Sequence, residues 1–230
     1  MPNDLSNPPR DYDLAAELPD AAAVARATVL RSVGNSDLIG LRAIGICGSR
    51  DATDESIDRA HRFGLLAAEL GFGVISGNAR GVDEAAQRGA LEGGGWTIAV
   101  LAEGLAGWKP RLTHRPLATA ENFLAVSKFE DSARWSVGRA MDRNKLVIAL
   151  SQALVVVQAG LTGGTWAAGN ACLKAKKPLL VVRSTSPETE GNRELIRKGG
   201  VAIATFNELR EVLDELKRDA NAHVAQRQLV

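Results

Sequence analysis

The chain contains 230 residues, of which 45% are hydrophobic and 24% charged, a composition typical of a globular protein with one substantial core. Two cysteines exclude a disulfide-rich scaffold, the apolar runs are too short to span a bilayer, and the N-terminus lacks a secretory-signal pattern, so we expect a cytoplasmic protein. The formal net charge of +1 excludes an argument for nucleic-acid binding from total charge, so any such argument depends on local clusters.

The first forty residues differ in character from those that follow. Residues 13–30 are rich in Ala and Leu at helical spacing, after a proline-containing start, which predicts a helix packed on the core. The last dozen residues are polar. We therefore predict a helical N-terminal extension over residues 1–40, a core over residues 41–218 and a polar tail that frays over residues 219–230.

From Leu41 onward, short apolar runs alternate with segments of helical periodicity. Strands are predicted at residues 43–47, 73–75, 97–101, 123–126, 154–157, 179–182 and 201–204. Helices are predicted at residues 55–70, 83–92, 136–150, 165–175, 192–198 and 207–216, with Thr53 and Ser136 at two of their starts. Most strand runs are continuously apolar, as in strands covered on both faces. The pattern predicts an α/β fold with a doubly wound, mostly parallel, Rossmann-like sheet and helices on both faces.

Two glycine-bearing turns each stand where a predicted strand runs into a helix. The first contains Gly48, Ser49 and Arg50, and the second contains Ser76, Gly77, Arg80 and Gly81. Glycine lets an anion approach main-chain N–H groups, a helix N-terminus adds partial positive charge, and arginine adds a planar cation with five donors. Side by side, the two turns would form one phosphate-binding crevice at the carboxyl edge of the sheet. The alternative is that the two arginines are ordinary surface residues at strand ends.

A third glycine turn follows the strand predicted at residues 154–157. Gly163, Gly164 and Thr165 open the next helix and offer N–H groups and a hydroxyl, an arrangement suited to an anion. The alternative is a tight turn without a ligand. Arg143, on the helix predicted over residues 136–150, is a further candidate for lining a positive groove.

Basic and aromatic side chains occur together in two other segments. Trp108, Lys109 and Arg111 lie in the loop after the strand at residues 97–101, and Arg134 and Trp135 precede the helix at residues 136–150. Such a combination can track a nucleic-acid backbone and stack one base. For the loop, the alternative is a solvated segment whose tryptophan packs on the core.

Other polar residues give weaker signals. Asp83 either holds the second glycine turn by accepting backbone N–H bonds or caps the helix behind it, and we favour the cap. The three histidines are isolated, and neither a zinc spacing nor a Walker loop occurs, so no metal ion and no cofactor is expected.

Taken together, the motifs resemble a known family. GICGSR at residues 45–50, SGNARGVDEAA at 76–86, TIAVL at 97–101, RN at 143–144, GGT at 163–165 and GNRELI at 191–196 are similar, in order and spacing, to the Rossmann-like core of the DprA/Smf DNA-processing proteins. The resemblance covers residues 41–200. It implies single-stranded DNA binding, loading of the RecA recombinase onto that DNA during natural transformation, and a homodimer.

The wider superfamily of this resemblance includes two other functions, namely sensors of nucleotide-derived ligands and the LOG phosphoribohydrolases, which cleave nucleoside monophosphates. The LOG enzymes carry a catalytic Glu three residues after the Gly-Thr of the third turn, where this chain has Ala168, and Ala cannot act as an acid or a base. We therefore expect a non-enzyme that binds single-stranded DNA, with a nucleotide-ligand sensor as the alternative.

Overall fold

The computed structural model describes Leu5 and residues 7–183 and 189–227, with side chains described as far as residue 219. The strands are β1 (Arg10–Asp13), β2 (Val29–Gly34), β3 (Ala43–Cys47), β4 (Gly73–Ser76), β5 (Thr97–Val100), β6 (Phe123–Ser127), β7 (Leu154–Val156), β8 (Leu179–Val182) and β9 (Val201–Ile203). The α-helices are α1 (Leu14–Glu17), α2 (Pro19–Ala25), α3 (Asp54–Glu69), α4 (Val82–Glu92), α5 (Val137–Leu150), α6 (Gly163–Lys174), α7 (Glu190–Arg197) and α8 (Phe206–Arg227).

The strands form one sheet in the order β1-β2-β6-β5-β4-β3-β7-β8-β9. The strands from β6 to β9 in this order pair in parallel, whereas β1 and β2 add antiparallel at one edge. The chain moves outward from β3 to β6 and then returns to the other side of β3 to form β7. The predicted doubly wound, mostly parallel sheet is confirmed, and its topological switch point lies between β3 and β7.

Two large apolar cores cover the two faces of the sheet, and a smaller third cluster lies around β2, β5 and β6. Helices α1, α2, α5, α6 and α7 contribute to one core, and α3, α4 and α8 contribute to the other. Within β7, Leu154 and Val156 belong to the first core and Val155 to the second, as the alternation of side chains along a strand requires. Because both faces are covered, the strands read as continuous apolar runs, and their positions could be predicted from that pattern.

The N-terminal segment contains two short helices and also two strands. Helices α1 and α2 lie within the stretch where a helix is predicted, whereas the flanking strands β1 and β2 were not predicted. Strand β2 pairs with β6, and Arg31 of β2 forms an ion pair with Asp131 at 2.7 Å. These partners are distant in sequence, so local periodicity gave no sign of the pairing.

The helix ends follow several sequence signals. The Ser56 N–H donates to the Thr53 hydroxyl at 3.3 Å, and the Arg139 N–H donates to the Ser136 hydroxyl at 3.2 Å, which confirms both predicted caps. Helix α8 continues to Arg227, into the segment predicted to fray, and residues 228–230 of that segment lie outside the described ranges. In those ranges, no helix has the length and apolar character needed to cross a membrane.

Candidate functional site

A crevice of about 330 Å³ opens at the carboxyl edge of the sheet, at the switch point between β3 and β7. Its walls are the turn after β3, the turn after β7 and the beginning of α5. Of the residues predicted from the sequence, it is lined by Gly48, Ser49, Arg50, Arg143, Gly163, Gly164 and Thr165. The structure therefore brings the first and third glycine turns together, although they are far apart in the sequence.

The N-terminus of α6 lies in the wall of this crevice without a side-chain cap. Thr162 occupies the N-cap position but its hydroxyl accepts no capping hydrogen bond, and the first turn contains no acidic residue. Gly163 has a φ of 90°, in the left-handed region, and a Cβ added there would meet no atom within 4 Å. The turn is thus open. Its N–H groups can donate hydrogen bonds to an anion, which the partial positive charge of the helix end also attracts.

Gln158 and Asn192, which were not among the candidate site residues, hold the crevice walls together. The Ser49 N–H donates to the Gln158 carbonyl at 2.9 Å, and the Thr53 N–H donates to the Gln158 Oε1 at 3.1 Å. The buried Asn192 donates from Nδ2 to the carbonyls of Val157 and Val182 and accepts from the Ala159 N–H. The family-like GNRELI segment pointed to Asn192, whereas nothing in the local sequence marked Gln158.

Arg143 forms the floor between the turns. Its side chain is 5% exposed, its Nη1 donates to the Val100 carbonyl at 2.6 Å, and its buried Nε has no hydrogen-bond partner in the described part of the chain. A Cβ at Gly77 would lie 1.9 Å from Nη1, so any side chain at this position would displace the guanidinium, which lies against the backbone. Arg143 therefore presents positive charge from within the protein, beside the turn after β4.

Asp83 balances Arg143 and ties two turns together, so the prediction that it caps α4 is wrong. Gly81 is the N-cap residue, and Asp83 lies within the first turn of α4, 5% exposed. Its carboxylate accepts from the Ala79 N–H at 3.4 Å and also interacts with the Gly48 N–H, whereas the Ser76 hydroxyl donates its proton to the Ile46 carbonyl. A local pattern of an acidic residue near a helix start does not separate a cap from this role.

The ionisation of this pair follows from its burial. Burial raises the pKa of the Asp83 carboxyl, against the opposing effects of the Arg143 charge and of the backbone N–H groups of Ala79 and Gly48. Burial also lowers the pKa of the Arg143 guanidinium, and the charge of Asp83 opposes that shift. An arginine keeps its proton at neutral pH, so the crevice floor retains a cation.

A second cavity of about 240 Å³ adjoins the crevice on the β4 side. It is lined by Gly77, Arg80 and Arg111, and it shares Arg50 and Arg143 with the crevice. Arg111 is already engaged, since its Nε donates to the Asn78 carbonyl at 2.9 Å and its guanidinium lies 3.7 Å from Glu84. Arg50 and Arg80 are exposed and form no ion pair with another residue in the described ranges, so both remain available to an anion.

The remaining predicted residues do not line the crevice. Ser76 is fully buried and donates to the Ile46 carbonyl at 2.6 Å. At Gly81, with a φ of 81°, an added Cβ would lie 2.8 Å from the carbonyl oxygen of Arg50, so this glycine serves close packing of two turns. Trp108 stacks on Phe123 with ring centroids 5.8 Å apart, and Lys109 lines a different cavity beside the N-terminal segment.

The fold and the crevice define a Rossmann-like α/β protein with an uncapped helix N-terminus and exposed arginines at its topological switch point. Within the described ranges, no three His, Cys, Asp or Glu side chains cluster closely enough to hold a metal ion. The family model described as DNA recombination-mediator protein A matches residues 14–216. The chain belongs to this family, and the resemblance to the DprA/Smf proteins is confirmed.

Individual relatives agree with this assignment. The putative DNA processing protein DprA of Mycobacterium tuberculosis is 32% identical over 190 residues, which are 78% of this chain and 47% of that protein. This chain thus spans about half the length of that relative. A structure concerning the single-stranded DNA binding mode of DNA processing protein A from Helicobacter pylori is 27% identical, with a TM-score of 0.79 over 95% of this chain and 99% of the other. The Streptococcus pneumoniae DprA structure, at 20% identity, 87% and 72% coverage and a TM-score of 0.77, shows the same fold.

Proposed function

We propose that this protein binds single-stranded DNA in the crevice between β3 and β7, and that it does so as a mediator of DNA recombination or uptake rather than as an enzyme. The observation that carries the proposal is that the uncapped N-terminus of α6 and the exposed Arg50 line one cavity at the switch point. Backbone phosphates are the ligands that such a combination favours.

Charge and burial support the assignment of roles within the crevice. Arg50 in the crevice and Arg80 in the adjoining cavity are exposed and contact phosphates directly, whereas the buried Arg143 acts through its charge. Membership in the recombination-mediator family and the single-stranded DNA binding of the Helicobacter pylori relative favour a DNA strand over a free nucleotide.

The residue at the position of the LOG catalytic Glu supports the proposal that this protein turns over no substrate. Ala168 is 3% exposed and belongs to the apolar core beneath α6. Asp83, the carboxylate that lines the crevice, is held by backbone N–H groups and Arg143, and Glu103 lies in the adjoining cavity. No carboxylate of the described residues in the turn after β7 could protonate a leaving base.

The proposal is tested by titrating the purified protein with a labelled single-stranded oligonucleotide, with the corresponding duplex and with thymidine monophosphate. We expect the single strand to bind more tightly than the duplex and far more tightly than the mononucleotide. Saturation by the mononucleotide at lower concentration than the oligonucleotide would instead identify a nucleotide sensor, and binding of neither would reject the crevice as a ligand site.

The same mixtures, supplemented with nucleoside monophosphates and separated by chromatography, report on catalysis. We expect no free base above the level in a protein-free sample, because general acid–base assistance contributes roughly 10²–10⁴-fold and is missing. Steady release of base over many turnovers would make the protein a hydrolase, with Glu103 and Asp83 as the first residues to substitute.

The family resemblance also implies a contact with RecA and a homodimer, and the sequence implies a cytoplasmic location. These three expectations stay predictions for the present chain. Light scattering of the purified protein determines the oligomeric state, and co-sedimentation with RecA on a single-stranded oligonucleotide determines whether the two proteins share one complex.

A further inference from the structure

One wall of the crevice is apolar and exposed, although the other walls are made of glycine turns. Trp135 is 46% exposed, Val137 is 62% exposed and Met141 is 42% exposed, and all three line the crevice. They come from the end of the loop before α5 and from the first turns of that helix. Large exposed apolar side chains beside an anion-binding helix N-terminus are suited to a ligand that has both a charged group and a flat apolar group.

The indole ring of Trp135 is held in place by the turn on the opposite side. The Arg50 guanidinium carbon lies 4.9 Å from the ring centroid, within the range of a cation–π contact. Both residues line both the crevice and the adjoining cavity, so their contact lies where the two cavities meet. The ring thus lies against a cation, while the residue as a whole stays 46% exposed to solvent.

The other tryptophans have different surroundings. Trp108 stacks on Phe123, Trp96 lies against the backbone of Gly73, and Trp166 carries the Lys198 ammonium 4.8 Å from its ring. None of these three lines the crevice, so Trp135 is its one tryptophan within the described ranges.

We propose that Trp135 is the base-stacking residue of this protein: a nucleobase of the bound strand stacks on the indole ring while the adjacent phosphate lies between Arg50 and the N-terminus of α6. The inference rests on the proposed function, since it assigns a place to the base of a strand whose backbone occupies the crevice. Every nucleobase has a flat π-face, so a tryptophan here supplies affinity without sequence preference. Val137 and Met141 extend the apolar surface along the edge of the stacked base.

The test compares two 15-residue oligomers of equal charge, oligothymidylate and an abasic deoxyribose-phosphate chain, binding to the whole protein. Trp135→Leu should weaken oligothymidylate binding by about 5- to 150-fold, the effect of losing one stacked base, and leave binding of the abasic chain within about twofold. Trp135→Phe should restore most of the affinity because phenylalanine keeps an aromatic face. Leu112→Ala, which changes an apolar side chain that is 74% exposed and lies outside the crevice, should alter neither titration.

The outcomes separate this inference from the proposed function. If Trp135→Leu weakens both oligomers equally, or neither, the stacking role is wrong while binding of the backbone stands. Equal affinity of the unmodified protein for the two oligomers would also overturn the stacking role. If the unmodified protein binds neither oligomer, the proposed function fails and the inference fails with it.

Discussion

At the scale of single residues, the crevice combines charges that are compensated inside the protein with charges that are not. Asp83 and Arg143 are both 5% exposed and act on each other, whereas Arg50 and Arg80 are exposed. The buried pair sets the geometry, since Asp83 reaches Ala79 and Gly48, and Arg143 lies against Gly77. Removing one member of such a pair leaves an uncompensated buried charge, which is costly, while removing an exposed arginine leaves the fold intact.

The raised pKa of Asp83 predicts how its contribution to stability varies with pH. In the interval between the ordinary value of 3.8 and the raised pKa, the native state binds more protons at this carboxyl than the unfolded state does. Its contribution to stability is therefore fully present below pH 3.8 and is lost as the pH rises through the native pKa. The free energy of unfolding of the unmodified protein, minus that of Asp83→Asn, should decrease as the pH increases across this interval.

Urea unfolding of both proteins at a series of pH values from 4 to 7 measures this difference. A difference that grows with pH would mean that Arg143 and the N–H donors outweigh burial and hold the pKa of Asp83 below its ordinary value.

At the scale of elements, the two helices behind the first two turns pack unusually closely. A Cβ at Gly64 of α3 would lie 2.1 Å from the Ala86 carbonyl oxygen, and a Cβ at Gly89 of α4 would lie 2.0 Å from the His61 carbonyl oxygen. Each helix thus places a glycine against the backbone of the other. Since α3 follows the turn after β3 and α4 follows the turn after β4, their spacing also determines the spacing of those turns.

Substituting Gly89 by Ala should therefore destabilise the protein by about 1–3 kcal/mol, because the helices must separate to admit the methyl group. Gly138→Ala is the matched control: it also lies in a helix, α5, but an added Cβ meets no atom within 4 Å. There the change should be neutral or stabilising by up to about 1 kcal/mol, since alanine is the better helix former. Denaturant unfolding of the two variants measures both effects, and equal stability of Gly89→Ala and the unmodified protein would show that the close approach of α3 and α4 does not depend on glycine at this position.

At the scale of the whole molecule, the distribution of charge matters more for DNA binding than the net charge does. The formal net charge is only +1, so long-range attraction of DNA to the protein as a whole is weak. In the proposed function, the exposed arginines at the carboxyl edge of the sheet supply the electrostatic part of DNA binding. Salt dependence then reports on a few local phosphate contacts.

The slope of log K against log salt concentration for single-stranded DNA should accordingly become shallower by about 0.7 when Arg50 or Arg80 is replaced by Ala, since each loses one phosphate contact. Lys174→Ala is the control, because this exposed lysine lies in the last turn of α6, at the opposite end of that helix from the crevice. Binding titrations from about 50 to about 300 mM salt measure the slopes. A slope that stays the same in both arginine variants would contradict direct phosphate contacts.

The sequence carried enough information for the parallel part of the sheet, β3 to β9, and for part of the crevice. Continuous apolar runs located the seven strands from Ala43–Cys47 to Val201–Ile203, because burial on both faces leaves a local signature. Glycines after strands located the turns. What local sequence could not reveal was which partner a side chain would find: Arg31 pairs with Asp131, Trp108 stacks on Phe123, and the Ser49 N–H meets Gln158. Ser76 and Gly81 were predicted to line the crevice but do not, for the same reason: only the fold decides which turn residues face solvent.

The position of β3 between β4 and β7 affects the order in which the molecule can be assembled. Strand β4 follows β3 closely in the chain, whereas β7 joins it only after β5, β6 and α5 have been made. Pairing across such a long loop carries a larger entropy of closure and is slow. A nascent chain can therefore build the turns after β3 and β4 early. Helix α6, which forms one wall of the crevice, is synthesised later. The proposed anion-binding site can therefore form only after α6 has emerged from the ribosome.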